Sequence, residues 1–284
     1  MINPKLTINC KGRLVDLSGP VIMGILNIND DSFYRGSRFT GRDAIIDQAG
    51  KMIAEGATFL DVGGMSSRPG ARIVEVTEEL DRVIPAVESI HEAYPEALIS
   101  VDTIRAAVAR EAVAAGAVII NDISAGRFDP DLYPSLPALE VPYILMHMQN
   151  RPENMQQDPV YENVVREVLD FFIGEVHKLQ QLGLKDIIID PGFGFGKTVE
   201  HNYELLRSLH VFRMLDVPVL AGLSRKSMIC RPLGISPDQA LNGTSVLHFA
   251  ALQQGVRILR VHDVRPAWEV IELWKLVSQA ENLI

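Results

Sequence analysis

Polar side chains that could bind a ligand recur in this sequence directly after short apolar runs. The positions concerned are Asn27, Asp61, Asp102, Asn121, Asp122, His147, Gln149, Asp190, Ser224, Arg225, Lys226, Ser227, Arg260, His262 and Asp263. Any one of them could simply cap a helix or bond to loop amides, as Asp and Asn commonly do. So many hydrogen-bonding groups at equivalent positions indicate instead a pocket for a buried, polar small molecule.

The basic members of this set point to an anion. The chain has 36 acidic and 27 basic residues and a formal net charge of −9, so a group of cations is a local feature. Lys226, Arg260 and His262 follow the last two apolar runs, and the spacing of Arg260 and His262 places both on one side of a strand. Phosphate is the anion that such side chains commonly bind. The alternative is three unrelated surface cations.

These residues need a scaffold that brings the ends of many strands together. Eight apolar, β-branched runs begin at Val21, Thr58, Leu98, Val118, Tyr143, Ile187, Pro218 and Arg257. Segments with helical spacing separate most of them, and several end in the Gly that often terminates a helix. Strands that alternate with helices predict a parallel sheet, and runs that are apolar throughout predict a sheet covered on both faces.

Eight strands favour an α/β fold of the (β/α)8 or TIM-barrel type, in a single domain that covers residues 1–284. A doubly wound sheet is the alternative, but it would carry a GxGxxG phosphate loop after an early strand, and none follows the first two runs. LTINCKGRLVDL alternates around Lys11 and Gly12, so residues 1–19 predict a short hairpin extension that closes the barrel floor. Chemistry in such barrels sits at the C-terminal ends of the strands.

Composition excludes several classes of protein. The net charge of −9 argues against nonspecific nucleic-acid binding, which depends on Lys and Arg neutralising phosphates. Cys10 and Cys230 lie far apart and outside any CxxC spacing, which favours a reducing compartment over a disulfide framework. Because no secretory signal is recognisable and no run approaches the roughly 18 apolar residues of a membrane span, we expect a cytoplasmic protein without a membrane partner.

The motifs at these strand ends resemble those of the dihydropteroate synthase family, from Pro20 to Trp268. MGILNINDDSFYRGSRF from Met23 and DVGGMSSRPGA from Asp61 are similar to the first two signatures of that family. IIIDPGFGFGKTVEHNYELL, GLSRKSMI, NGTS and RVHDV follow in the family's order. DPGFGFGK alone is superficially similar to a nucleotide phosphate loop, but it lacks the required glycine spacing. The resemblance implies an enzyme that joins a dihydropterin pyrophosphate to p-aminobenzoate in folate biosynthesis.

The resemblance also implies which residues bind the pterin. They are Asp102, Asn121, Asp190 and Lys226, with Met146 at the border of the pocket. The aminopyrimidinone edge of a pterin presents adjacent donors and acceptors. A carboxylate such as Asp190 can accept two parallel bonds from that edge, while the amide of Asn121 both donates and accepts.

The same resemblance places the pyrophosphate at Asn27, Arg260 and His262, with Mg²⁺ as cofactor at Asn27, because Mg²⁺ commonly takes most of its oxygen ligands from phosphate and water. The implied reaction is substitution at the exocyclic CH2 of the pterin, in which pyrophosphate leaves in an SN1-like step before the aryl amine attacks. The catalytic residues are then Arg260, His262 and Lys226 around the departing anion, and Asp102, whose charge offsets the positive charge on the pterin. No nucleophilic Ser or Cys is required.

The second substrate is expected between two long loops, residues 28–39 and 63–75. The residues that match the family there are Phe33 on the first loop, Ser67, Arg68 and Pro69 on the second, and Ser227. We expect these loops to close over the bound pterin and to exclude water from the cationic intermediate.

The two loops also depart from the common family pattern. Asn29 and Asp30 stand where Thr and Pro are usual, Met65 where Glu is usual, and Ser67 replaces Thr. Loss of the proline should loosen the first loop, because proline restricts backbone freedom. The departures therefore bear on p-aminobenzoate affinity and sulfonamide sensitivity more than on pterin binding.

Two other functions stay open on the sequence. A methyltransferase that passes a methyl group from a methylated tetrahydrofolate to a corrinoid protein would share the pterin pocket, but it needs no pyrophosphate site. A pterin-binding protein without catalysis would not be expected to retain every matched polar residue. The resemblance further implies a homodimer through the last barrel helices, where LHFAALQQG and PAWEVIELWKLV supply apolar residues that ordinary barrel packing explains equally well.

Overall fold

The computed structural model describes residues 6–28, 38–65, 74–150 and 159–280. Its first element is an antiparallel hairpin of β1 (Thr7–Cys10) and β2 (Arg13–Asp16), which forms a sheet of its own. Lys11 and Gly12 make the turn, with positive φ angles of 50° and 90°. The predicted N-terminal hairpin is therefore confirmed.

The other eight strands form one parallel sheet. They are β3 (Val21–Asn27), β4 (Phe59–Gly63), β5 (Leu98–Asp102), β6 (Ile119–Asp122), β7 (Tyr143–Met146), β8 (Ile187–Asp190), β9 (Leu220–Ala221) and β10 (Ile258–Val261). Their order is β8-β7-β6-β5-β4-β3-β10-β9, and a parallel bridge between Ile189 and Val219 joins the two outer strands. The sheet thus closes into a barrel, each strand falls in one of the eight predicted runs, and the predicted TIM-barrel fold is confirmed.

Helices connect the strands. The described helices are α1 (Arg38–Ala54), α2 (Val76–Ala93), α3 (Ala106–Ala115), α4 (Leu132–Leu139), α5 (Val164–Gln181), α6 (Val199–Arg207), α7 (Ser227–Leu233), α8 (Leu241–Gln253) and α9 (Val264–Ala280). Local sequence sets several of their ends. The Asn163 side chain accepts a bond from the Arg166 amide at the start of α5, and α3 stops at Gly116, whose φ is 120°. None of the described helices is long and apolar enough to cross a membrane.

Successive residues of each barrel strand face opposite sides. On β4, Leu60 and Val62 face outward and belong to the large core cluster that also contains Val83 and Val87 of α2. Phe59 belongs instead to a second cluster inside the barrel. The strands are therefore buried on both faces, as their continuous apolar runs predict.

The second cluster fills the N-terminal end of the barrel. It combines one inward residue from most strands with the buried face of the hairpin: Ile8, Cys10, Val15, Leu17, Met23, Phe59, Val118, Ile119, Ile144, Ile188, Leu220 and Ile258. The hairpin thus covers this end, in agreement with its predicted position at the barrel floor. Among the described residues, the N-terminal end of the barrel is thus filled, which leaves the opposite, C-terminal end of these strands for a ligand.

Candidate active site

Two residues beyond the floor cluster, the side chains inside the barrel change from apolar to polar. Inward apolar residues of the floor are followed on the same strands by polar ones that are buried or, for Arg260, partly buried, in the pairs Phe59 and Asp61, Ile119 and Asn121, Ile188 and Asp190, and Ile258 and Arg260. Because side chains on a strand repeat with a period of two, both members of each pair point into the barrel. The polar layer lies at the end of the barrel where TIM-barrel enzymes bind their substrates.

Strand register brings the first predicted site residues side by side. Asn27 on β3 pairs with Gly63, Gly63 with Asp102, and Asp102 with Asn121. A Cβ on Gly63 would lie 3.5 Å from Asp102 Cβ and 3.7 Å from Asn27 Oδ1, which is ordinary contact distance. Glycine here therefore leaves methyl-sized room between the end of β3 and the buried carboxylate.

Asp61 is the centre of a buried hydrogen-bond network. Its Oδ1 accepts from Ser100 Oγ at 2.6 Å, and its Oδ2 accepts from Asn121 Nδ2 at 3.0 Å and from Arg260 Nε at 2.6 Å. Arg260 Nη2 also donates to Asp102 Oδ2 at 2.9 Å. One guanidinium is thus shared by two carboxylates, and Asp61 orients both Asn121 and Arg260. The sequence places Asp61 at a strand end but gives no sign of this role.

Burial and charge set the protonation of this network. Burial raises the pKa of Asp102 to about 7, Arg260 opposes the shift, and Asp61 adds to it. Burial lowers the pKa of Arg260, but the charges of Asp61 and Asp102 outweigh it and the net shift is upward. Arg260 therefore stays cationic, while Asp102 exchanges its proton near neutral pH.

Three further predicted residues converge at the end of β9. A Cβ on Gly222 would lie 3.6 Å from Lys226 Nζ, 3.9 Å from Asp190 Oδ2 and 4.0 Å from Arg260 Cβ. A carboxylate, an ammonium and a guanidinium side chain therefore surround one small space that only a residue without a side chain leaves open. These groups come from the sixth, seventh and eighth barrel strands or the loops after them.

Local contacts hold Asp190 and Lys226 in place. Asp190 Oδ1 accepts from the Gly192 amide at 2.8 Å, and Lys226 Nζ donates to the Phe193 carbonyl and lies 4.7 Å from the centre of the Phe195 ring. Burial raises the pKa of Asp190, with Lys226 opposing that shift. Burial also lowers the pKa of Lys226 to about 8, although Asp190 opposes it.

An apolar wall flanks these polar groups. Met146 pairs in register with Asp190 and belongs to a small buried cluster with Met148, Ile104, Ile123 and Phe195. Met65, one of the departures from the family pattern, packs against the same cluster. Soft and flat side chains of this kind suit the face of a planar ring. The sequence predicts Met146 here, but it does not single out Phe195.

His262 lies exposed at the rim, just beyond the end of β10. Its Nδ1 is 3.0 Å from Ser224 Oγ, which also accepts from the His262 amide at 3.3 Å. Partial burial on its protein side lowers the pKa of His262, and the charge of Arg260 lowers it further. At neutral pH the imidazole is therefore uncharged. The Ser224 hydroxyl can donate to Nδ1, an arrangement that leaves the ring proton on Nε2.

Other polar residues at the strand ends have structural partners. Arg225 donates to both carboxylate oxygens of Asp263, at 2.8 and 2.9 Å, and to the Pro237 carbonyl at 2.8 Å. This pair ties the loop that carries Lys226 to the loop that carries His262. Asp122 accepts from the Ser124 and Gly126 amides and from Tyr143 Oη.

The residues predicted for the second substrate are mostly outside the described part of the chain. Phe33, Ser67, Arg68 and Pro69 fall there, as do the departures at Asn29 and Asp30. Ser227 is described, and it is the exposed first residue of α7, next to Lys226. Within the described ranges, no group of three or more His, Cys, Asp or Glu side chains is arranged to hold a metal ion.

Comparison with known proteins identifies the family of the chain. Residues 23–262 match the model of a family described as pterin binding enzyme. The dihydropteroate synthase of Haemophilus influenzae is 44% identical over 270 residues, which are 94% of this chain and 98% of the relative.

Two solved structures have the same fold. The Yersinia pestis dihydropteroate synthase in a sulfonamide drug complex aligns with a TM-score of 0.89 and 38% identity, over 96% of this chain and 99% of that one. The Xanthomonas albilineans dihydropteroate synthase with 4-aminobenzoic acid aligns with a TM-score of 0.88 and 40% identity, over 96% and 98%. The chain therefore belongs to the dihydropteroate synthase family of pterin-binding enzymes.

Proposed function

We propose that this protein condenses (7,8-dihydropterin-6-yl)methyl diphosphate with 4-aminobenzoate to give 7,8-dihydropteroate and diphosphate. The observation that carries the proposal is the convergence of Asp190, Lys226 and Arg260 around Gly222, beside the buried Asp102 and Asn121. This set offers a bidentate acceptor, two partly buried cationic donors and an amide within one layer of the barrel. A charged, planar substrate with many hydrogen-bonding atoms can pair with all of these groups at once, whereas an apolar ligand would leave them without hydrogen-bond partners.

Asp190 and Asn121 bind the edge of the pterin in this proposal. The Asp190 carboxylate accepts from the 2-amino group and the neighbouring ring N–H, which lie side by side. Asn121 is already oriented by its bond to Asp61, so its amide carbonyl faces the ligand without a further loss of side-chain freedom. Lys226 donates to the ring oxygen or nitrogen, and the ring lies against Met146.

Arg260 and His262 stabilise the departing diphosphate. Arg260 is held rigidly by Asp61 and Asp102, so its positive charge is in place before the bond breaks. His262 donates from Nε2 as a neutral imidazole. Loss of diphosphate leaves positive charge on the pterin methylene, which the ionised Asp102 offsets, and the aryl amine then attacks in an SN1-like sequence. The C–O bond breaks with its electron pair on diphosphate, the new C–N bond forms, and the resulting ammonium loses one proton to the released diphosphate or to water.

We propose Mg²⁺ as the cofactor, bound at Asn27. The donor set fits such an ion because Mg²⁺ needs few protein ligands when phosphate and water supply the rest, and Asn27 presents an exposed side chain at the open end of β3. Bound there, the ion would neutralise charge on the diphosphate. Asn27→Ala should raise the Mg²⁺ concentration needed for diphosphate binding, as calorimetry with and without EDTA would show. Unchanged Mg²⁺ dependence would remove Asn27 from the site.

The aryl amine site belongs to the same proposal. Ser227 is exposed beside Lys226, at the N-terminus of α7, where a carboxylate such as that of 4-aminobenzoate is favoured. Phe33, Ser67, Arg68 and Pro69 would complete the site from the two loops. The related X. albilineans enzyme in complex with 4-aminobenzoic acid supports a site for this acid.

One assay separates the proposed function from its alternatives. Purified protein is incubated with the dihydropterin diphosphate, 4-aminobenzoate and Mg²⁺, and dihydropteroate and diphosphate are measured. We expect the two products in equal amounts. A corrinoid methyltransferase would yield neither, and would instead demethylate methyltetrahydrofolate. A pterin-binding protein without catalysis would bind the diphosphate substrate and release nothing.

We further propose one cytoplasmic domain that works as a homodimer. The large core cluster draws residues from strands and helices between Ile22 and Ile271, and the hairpin packs in the second cluster inside the same barrel, which supports a single domain. Exposed apolar side chains on α8 and α9 support a dimer through the last helices: Val246, Leu273, Leu276 and Val277. Light scattering after gel filtration should give twice the monomer mass, and a monomer at micromolar concentration would contradict the proposal.

A further inference from the structure

Lys197 is a buried cation for which the proposed chemistry has no use. It lies between β8 and α6 and is 2% exposed. Its Nζ donates to the carbonyl oxygens of Gly192 and Phe195, both at 3.0 Å, and of His147 at 3.3 Å, and it lies 3.0 Å from His147 Nδ1. Four acceptors from two different loops therefore surround one ammonium group.

This arrangement is costly for the folded protein. Lysine is almost never fully buried unless it is paired with an opposite charge, and none of the ion pairs found among the described residues includes Lys197. Burial lowers the pKa of Lys197 to about 7, although Asp190 opposes the shift. An apolar side chain would avoid this cost, so the contacts that the ammonium makes need an explanation.

The two loops that Lys197 joins pack backbone against backbone. A Cβ on Gly192 would lie 1.9 Å from the His147 carbonyl oxygen, and a Cβ on Gly196 would lie 2.6 Å from the Gln149 carbonyl oxygen. Both glycines also have positive φ, 71° and 62°. Only glycine permits this approach, and it brings carbonyl groups of the two loops close together. The Gly192 carbonyl also accepts from the Phe195 amide, at 3.1 Å, whereas among the contacts of the described residues the His147 and Phe195 carbonyls accept from Lys197. Lys197 is the donor that these carbonyls share.

The same loops hold the groups proposed to bind the pterin. The loop after β8 supplies the Gly192 amide that donates to Asp190, and also the Phe193 carbonyl and Phe195 ring that contact Lys226. The loop after β7 continues directly from Met146. A shift of either loop would therefore move the carboxylate, the ammonium or the apolar wall of the pocket.

We propose that Lys197 is a positioning residue for the pterin site: by joining residues 147–150 to residues 191–197, it fixes Asp190 and Lys226 in the geometry that a pterin requires. This inference rests on the proposed function. It distinguishes the two substrates, because the groups that Lys197 contacts belong to the loops after β7 and β8, and none of its described contacts involves Ser227.

The test compares Lys197→Met with Lys51→Met, which removes a lysine whose side chain is 66% exposed on α1. Calorimetry with the dihydropterin diphosphate and Mg²⁺, without 4-aminobenzoate, gives the pterin affinity, and steady-state kinetics gives both KM values and kcat. We expect Lys197→Met to weaken pterin binding by about tenfold or more, since it leaves buried carbonyls unsatisfied. Its KM for 4-aminobenzoate should change by less than about twofold, and Lys51→Met should match the wild type.

A pterin affinity within about twofold of the wild type would overturn the inference, and so would an equal loss for both substrates. If Lys197→Met does not fold, two milder substitutions of its partner His147 test the inference instead. His147→Phe removes the imidazole acceptor but can keep the ring contact with Phe171, now at 4.9 Å between centroids, whereas His147→Gln retains an acceptor. We expect weaker pterin binding in the first and near-normal binding in the second, and equal affinities in both would contradict the inference. Wild-type protein that binds no pterin would instead refute the proposed function.

Discussion

The two ends of the barrel interior are built on the same strands, two residues apart, and they differ in almost every physical respect. The floor consists of apolar side chains under the N-terminal hairpin, while the mouth, the C-terminal end of the barrel interior, consists of buried carboxylates, a buried amide and the partly buried cations Lys226 and Arg260. Burial of the floor stabilises the fold, whereas burial of the mouth costs free energy that a charged ligand can recover. The difference indicates that one strand can contribute to stability with one residue and to ligand binding with the next residue on the same face.

The largest expected effect comes from Arg260 on β10, a strand that Arg257 directly precedes. Arg260→Ala should lower kcat/KM by about 100-fold or more, because it removes a preorganised cation and leaves Asp61 and Asp102 unpaired. Arg257→Ala is the matched control, since Arg257 Nη1 donates to the Ser18 carbonyl near the floor, at 2.6 Å. Its kcat/KM should stay within about twofold of the wild type. Similar losses of kcat/KM in both variants would contradict the proposed difference between the two ends of the barrel.

A second cation at the mouth should behave like Arg260. Lys226→Ala removes the ammonium group beside Asp190 and Gly222, and we expect turnover to fall by well over tenfold, about 100-fold by analogy with other buried charge contacts. Steady-state kinetics on folded protein, checked by circular dichroism, is the measurement. Near-normal turnover would show that Lys226 does not belong to the reacting site.

Removing a large side chain from the floor should lower stability and leave catalysis unchanged. Phe59 is fully buried, so Phe59→Ala should lower the free energy of unfolding by about 3–5 kcal/mol. Chemical denaturation measures this loss. At temperatures where the variant is folded, kcat and both KM values should remain near those of the wild type. A selective rise in the KM for the pterin substrate would indicate that the floor takes part in binding.

The pH dependence offers a milder test of the mouth. Asp102, with a pKa of about 7, must be ionised, and Lys226, with a pKa of about 8, must be protonated. The value of kcat/KM for the dihydropterin diphosphate should therefore fall below pH 7, as Asp102 gains a proton, and above pH 8, as Lys226 loses one. Each limb should approach about tenfold per pH unit. Asp102→Asn should lower the rate and flatten the acid limb, and an unchanged acid limb would assign it to another group.

The smallest effect is expected on the outer face of the hairpin. Leu14 is 75% exposed, so Leu14→Ala should change the free energy of unfolding by less than about 0.5 kcal/mol, whereas Ile8→Ala on the buried face should cost about 2–5 kcal/mol. Thermal or chemical unfolding of the two variants compares them directly. Equal losses would show that the hairpin does not cover the floor in the manner described.

Much of this organisation could be predicted from sequence because it depends on local pattern. Eight continuous apolar runs indicate the barrel strands, and the polar residues that end those runs fall at the mouth because parallel strands share one direction. Asp102, Asn121, Asp190, Lys226 and Arg260 were all placed there by position and by family resemblance. Their placement in one buried layer follows from strand register, which the pattern alone does not give.

The partners of these residues could not be predicted in the same way. Asp61 bonds Ser100, Asn121 and Arg260, which lie 39, 60 and 199 positions away along the chain. Which of many polar groups meet depends on closure of the barrel and on rotamers. Lys197 is similar, because the sequence shows a lysine after a glycine-rich segment but not that four acceptors converge on it.

The central claim is that the polar mouth holds the pterin and its diphosphate as one ligand, and a crystal structure with dihydropterin diphosphate bound would test it most directly. We predict the aminopyrimidinone edge on Asp190 and Asn121, Lys226 bonded to the ring, and the diphosphate against Arg260 and His262. A pterin bound away from Asp190, or a diphosphate that contacts neither Arg260 nor His262, would contradict the account.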